Sequence, residues 1–103
     1  TRLDRVARRV GRRLAAGWGG RTRGRRALIT VLERHGYEPS RNADGSIVLR
    51  NCPFDALART HRDSMCGANR ALLEGLRRGL GLAGYEVAAT SEPGRCCATI
   101  RPR

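Results

Sequence analysis

Apolar residues in this chain recur with two periods, and the order in which those periods alternate limits the fold more than any other feature. Leu3, Ala7, Val10, Leu14 and Trp18 stand four, three, four and four residues apart, which is one side of a helix whose other positions hold Arg2, Arg5, Arg8, Arg9, Arg12 and Arg13. Gly17, Gly19 and Gly20 break that pattern, and the run Gly-Gly-Arg-Thr-Arg-Gly-Arg-Arg reads as a flexible basic link. A second helix is expected from about Gly24 to His35, with Leu28, Val31 and Leu32 inward, His35 as its C-terminal cap and Gly36 as a left-handed terminator. Alternation then takes over. Tyr37 to Arg41 and Ser46 to Arg50 read as two strands, joined by the turn cluster Asn-Ala-Asp-Gly.

The same succession follows a second time. Pro53 suits the first position of a helix, because its φ is fixed and its missing N–H would be unpaired there, and Phe54, Ala56, Leu57 and Ala58 continue a short one. Asp63 or Ser64 is the expected N-cap of the longest helix, whose buried stripe is Met65, Asn69, Leu72, Leu73, Leu76 and Leu80. Gly67 and Gly75 lie inside it at a cost of roughly 1 kcal/mol each relative to alanine; close approach of another backbone is the usual reason. Tyr85, Val87 and Ala89 alternate with Glu86, Ala88 and Thr90 as a third strand, Glu92 to Arg95 supply a turn, and Cys96 to Arg101 form a fourth. The order is ααββααββ. It implies an α+β domain, an antiparallel sheet of about four strands covered by helices on one face.

A chain of 103 residues is a single domain able to bury a core without disulfides. Within it, 1–23 form a basic amphipathic helix and link, a candidate for dimerisation, and 24–103 the cysteine-containing body. No apolar run approaches the roughly 18 residues of a membrane span, and the arginine-rich start lacks the apolar core of a signal peptide. A cytoplasmic setting follows as the expectation. All 21 basic residues are arginine, and ten fall in the first 26 positions against one acid, Asp4. Such an end can lie along a DNA backbone, with Arg8, Arg9, Arg12 and Arg13 as non-specific phosphate contacts, or simply solvate a helix face. An enzyme is not expected: there is no nucleophile-base-acid set, no Gly-rich phosphate loop followed by lysine and no paired carboxylates.

The stretch from Asn51 to Arg70 concentrates the chemistry. Cys52 precedes Pro53, Cys66 falls in the first or second turn of the long helix, and positive helix ends favour thiolate at both. Cys96 and Cys97 are neighbours on an expected strand, so they should face opposite sides. Cys96 shares its side with Ala98 and Ile100 and is the one expected inward. Cys52, Cys66, Cys96 or Cys97, and His61 make a four-ligand set that tetrahedral zinc accepts, and three or four thiolates suit an iron–sulfur cluster. Buried cysteines acting as small hydrophobes are the other reading of the same residues.

The pieces Asn-Cys-Pro-Phe-Asp-Ala-Leu-Ala-Arg-Thr-His, Met-Cys-Gly-Ala-Asn-Arg-Ala-Leu-Leu-Glu-Gly-Leu and Pro-Gly-Arg-Cys-Cys resemble the C-terminal effector domain of bacterial winged-helix transcriptional regulators, a group similar to iron–sulfur-sensing repressors. The likeness runs from about Leu28 to Ile100. It implies a cluster or metal on Cys52, Cys66 and one of Cys96 and Cys97, controlling DNA binding by an upstream winged helix that these residues do not include, so the chain is expected to be part of a longer regulator. Such repressors pair about a two-fold axis, and the stripe Leu3, Ala7, Val10, Leu14 and Trp18 is the expected homodimer seam. A small basic nucleic-acid-binding domain and a small-molecule-binding domain with structural cysteines are the competing functions.

Overall fold

The computed structural model describes residues 1–90 and 96–103, the side chain of Ala58 excepted. Its elements are α1 (Arg2–Ala16), α2 (Gly24–Arg34), β1 (Pro39–Arg41), β2 (Ile47–Leu49), α3 (Asp55–Ala58), α4 (Arg62–Gly79), β3 (Tyr85–Ala89) and β4 (Ala98–Pro102). This is the expected α+β order. The four strands form one antiparallel sheet in the order β1-β2-β4-β3. The expected turn at Glu92 to Arg95 lies outside the described residues.

Strand alternation decides which side of the sheet carries the core. Ile47 pairs with Ile100, which pairs with Val87, so one row of aliphatic side chains crosses three strands. Ile47, Leu49, Ala98 and Ile100 are buried, whereas Val48 and Thr99 between them are half-buried. Leu28, Val31 and Leu32 from α2 and Leu73 and Leu76 from α4 fill the buried side. The hairpin between β1 and β2 closes as the turn residues require: Asn42 N donates to Ser46 O at 2.9 Å, and Gly45 takes φ +87.

The long helix begins one residue ahead of Asp63. His61 is the N-cap and supplies no side-chain bond, so neither Asp63 nor Ser64 caps it. Similarly α3 starts at Asp55 with Phe54 as N-cap, which leaves Pro53 outside the helix. Besides its leucine stripe, α4 buries Ala68, Ala71, Gly75 and Arg77. The side that carries Gly67, Gly75 and Gly79 faces α1. A Cβ on Gly75 would stand 2.0 Å from the Arg8 carbonyl oxygen, and one on Gly11 would stand 2.0 Å from the Leu72 carbonyl oxygen. The glycines therefore let two helix backbones touch, with Asp4 beside Gly67 and Ala15 beside Gly79. Chain direction is shared, so the helices run parallel.

The link after α1 is held at one point. Trp18 Nε1 donates to Thr22 O at 3.1 Å, and the Arg34 guanidinium lies 4.8 Å above the indole ring. Arg77 is buried but satisfied: it is paired with Glu74 and donates to Leu82 O at 2.8 Å. No helix among the described residues is long and apolar enough to cross a membrane.

Candidate functional site

Three separate segments deliver the cysteines to one region. Cys52 leaves β2 through Asn51, whose side chain accepts from Glu38 N at 2.7 Å and donates to Gly36 O at 2.8 Å, tying this exit to the loop after α2. Cys66 sits in the second turn of α4. Cys96 and Cys97 precede β4, which starts only at Ala98. Burial nevertheless alternates from Cys96 through Ile100, as it would along a strand. Cys96 N donates to Leu49 O at 3.0 Å, while Thr90 N donates to Cys97 O at 2.9 Å. Cys96 is buried as expected, and Cys97, expected to face solvent or a partner, is half-buried at the edge of the core.

All four thiols are free. Cys97 acts on the protonation of both Cys66 and Cys96, and Cys52 on that of Cys96, which puts the four thiols in one neighbourhood. Tyr37 anchors the group from below. Its hydroxyl donates to Asn69 Oδ1, and Asn69 Nδ2 donates to Cys96 Sγ at 3.0 Å. An amide on the inner stripe of α4 thus has both ends used, and among the described residues no buried side-chain polar atom is left without a partner. Burial raises the Tyr37 hydroxyl well above its ordinary value, and Cys96, Cys52 and Cys97 add to the effect.

For Cys66, protonation runs against the sequence-based expectation. Burial pushes the Cys66 thiol up to about 11, with Cys97 adding to the rise, and the favourable Arg62 and Arg70 one turn away do not offset it. Cys96 is also raised, first by burial, against the bonds from Ala98 and Asn69. At neutral pH both are thiols, so loss of water outweighs the positive helix end for Cys66. His61 is exposed at the start of α4. Among the described residues no group of three or more Cys, His, Asp or Glu side chains stands at metal-ligand spacing. The donor chemistry suits a thiophilic metal, but the sulfurs would have to close up around it.

The apolar side of α1 is divided. Leu14 and Trp18 pack against the domain's own core and Ala7 is half-buried, whereas Leu3 and Val10 are exposed, together with Val6. Of the four arginines expected to meet phosphate, Arg8, Arg9 and Arg12 line a groove of about 600 Å³ with Arg5 on α1 and Glu74 and Arg78 on α4. Arg13 is exposed outside it, since one residue turns a helix by about 100°.

Sequence reasoning passed over Tyr37 and Arg77. Signals for both were present: Asn69 interrupts an apolar stripe and so calls for polar partners, and Glu74 stands three residues before Arg77. No protein-family model, curated protein or solved structure matches this chain.

Proposed function

We propose that this chain is the sensing and pairing part of a DNA-binding transcriptional regulator, with a metal or iron–sulfur cluster held by cysteines as its input, and that it is not an enzyme. The observation that carries the reading is that four free thiols, from segments as far apart as Cys52, Cys66 and Cys97, share one neighbourhood, with Cys52, Cys96 and Cys97 beside Tyr37. Packing of a small aliphatic core does not call for it. Cys52, Cys66 and one of Cys96 and Cys97 would hold the group, which is zinc or an iron–sulfur cluster; His61 is the residue least suited to join them. When bound, such a group cross-links three chain segments and senses metal supply or oxidation.

The chain's own residues supply the transmission. Asn69 orients Cys96 by an N–H···S bond, and Tyr37 fixes the Asn69 amide. Cys66 rides on α4, which meets α1 backbone to backbone at Gly75 and Gly11. With no side chain between them to absorb movement, a shift of α4 at Cys66 is passed to α1. The exposed Leu3, Val6 and Val10 on α1 are then the surface offered to a second copy, so dimer geometry is the output.

Elemental analysis and an absorption spectrum of the full chain purified without oxygen test the reading. Broad brown absorbance identifies a cluster, and colourless protein with stoichiometric zinc identifies a zinc site; either should disappear in Cys66→Ser. Protein that stays metal-free even after anaerobic reconstitution leaves the thiols as core packing and ends the reading.

A further inference from the structure

The groove between α1 and α4 is strongly charged. Arg5, Arg8, Arg9, Arg12 and Arg78 line it against a single acid, Glu74. That acid is already committed. Its carboxylate accepts from Arg77 and from Arg78, whose Nε lies 3.0 Å away, and those bonds hold it below the usual carboxylate range. The four α1 guanidiniums have no carboxylate partner among the described residues, so the groove keeps a net positive charge.

We propose that this groove binds the phosphate backbone of duplex DNA without regard to sequence. Arg5 and Arg12 are two turns apart on one helix, and the row they bracket is about 10 Å long. Phosphates on one DNA strand advance by about 3.4 Å along the axis, so the row spans about three of them. A single small anion calls for donors converging on a point, whereas these are strung along an axis. Among the described residues no aromatic ring lines the groove to stack an unpaired base, and no apolar side chain lines it to enter a lipid surface. The α1–α4 glycine contact holds the two walls at a fixed separation, so Arg78 and the α1 arginines face the ligand as one preformed surface.

The inference rests on the reading that this chain works on DNA, but not on its cysteines. The experiment is therefore run on the metal-free 103-residue chain. Dissociation constants are measured against salt concentration for two duplexes of unrelated sequence, using the parent, the triple variant Arg5→Gln/Arg9→Gln/Arg12→Gln, and a control triple of equal charge, Arg21→Gln/Arg23→Gln/Arg41→Gln. All six positions are exposed, and circular dichroism confirms that each variant is folded. The groove variant should lose about 2.7 from the slope of log K against log salt, equally on both duplexes, and the control less than about 1. Equal losses in the two triples would reduce the effect to net charge and overturn the groove. So would a loss confined to one duplex, or binding to vesicles of anionic lipid in salt where duplex binding is absent. A chain that binds DNA in this way yet holds no metal sustains the groove while ending the sensing proposal.

Discussion

Replacing Gly75 by alanine would insert one methyl group between two helix backbones. Its carbon would start 2.0 Å from the Arg8 carbonyl oxygen, 2.9 Å from the Arg8 carbonyl carbon and 3.2 Å from Arg12 N. A carbon and a carbonyl oxygen rest at about 3.3–3.6 Å, so α1 must withdraw by more than about 1 Å. All three obstructing atoms are main chain and cannot rotate aside. A gap of that size forfeits a quarter to a half of the dispersion energy of each contact it opens, and Leu14, Ala15 and Trp18 depend on α1 staying in place. Overpacking of this kind costs about 1–3 kcal/mol. With backbone on both sides we take the upper end, and the roughly 1 kcal/mol that alanine gains over glycine in a helix leaves a net loss of about 2 kcal/mol. For a domain of this size, Tm should fall by about 8 to 16 °C. Gly67 is the internal control, eight residues earlier on the same helix. A Cβ there meets only the Asp4 carboxylate, at 3.4 Å, so Gly67→Ala should keep or raise Tm. Thermal unfolding followed by far-ultraviolet circular dichroism separates the two. A Gly75→Ala protein as stable as Gly67→Ala would refute the close helix contact.

Tyr37→Phe removes the donor to the buried Asn69 Oδ1 and should cost about 1–3 kcal/mol in denaturant unfolding, an effect absent from Tyr85→Phe, which has no such bond. Arg77→Ala leaves Glu74 with Arg78 alone and Leu82 O without its donor, and should cost about 3 kcal/mol; a loss under about 1 kcal/mol would contradict the pairing. Cys66 should alkylate slowly at neutral pH in the metal-free fold, its rate climbing towards pH 11. Because the folded thiol keeps its proton above the ordinary value of 9.0, its contribution to stability is complete below pH 9 and is lost as pH rises to about 11. Mass-spectrometric mapping of the labelled cysteine reads the rate, and fast labelling at neutral pH would contradict the burial.

The element order was legible because period-3.6 and period-2 patterns are separated by turn residues that leave few alternatives; Gly36 and Gly45 both take the positive φ expected of such punctuation. Helix starts were less legible. Asp63 and Ser64 look like caps, yet the chain bends into the helix at His61 without using a side chain. The tight α1–α4 pair was visible only as the puzzle of Gly75, since a glycine shows that something approaches but not what. At the site, Cys96 is inward because Ala98 and Ile100 continue its pattern, and the same alternation leaves Cys97 half-buried, but no strand pattern tells that Cys66 comes near it. The protonation of Cys66 was not legible for a related reason: a helix position is read from sequence, whereas the water lost around Cys66 depends on what packs over it. The groove needed three dimensions as well, because Arg78 is sixty-six residues beyond Arg12.

The central claim is that cysteines from separate segments form one ligand set, and X-ray absorption at the metal edge of anaerobically purified protein addresses it without reference to activity. We predict three or four sulfur neighbours at about 2.3 Å, with the sulfur count falling in Cys52→Ser and in Cys66→Ser. A shell of nitrogen and oxygen alone, or a sulfur shell unchanged by both substitutions, would contradict the account.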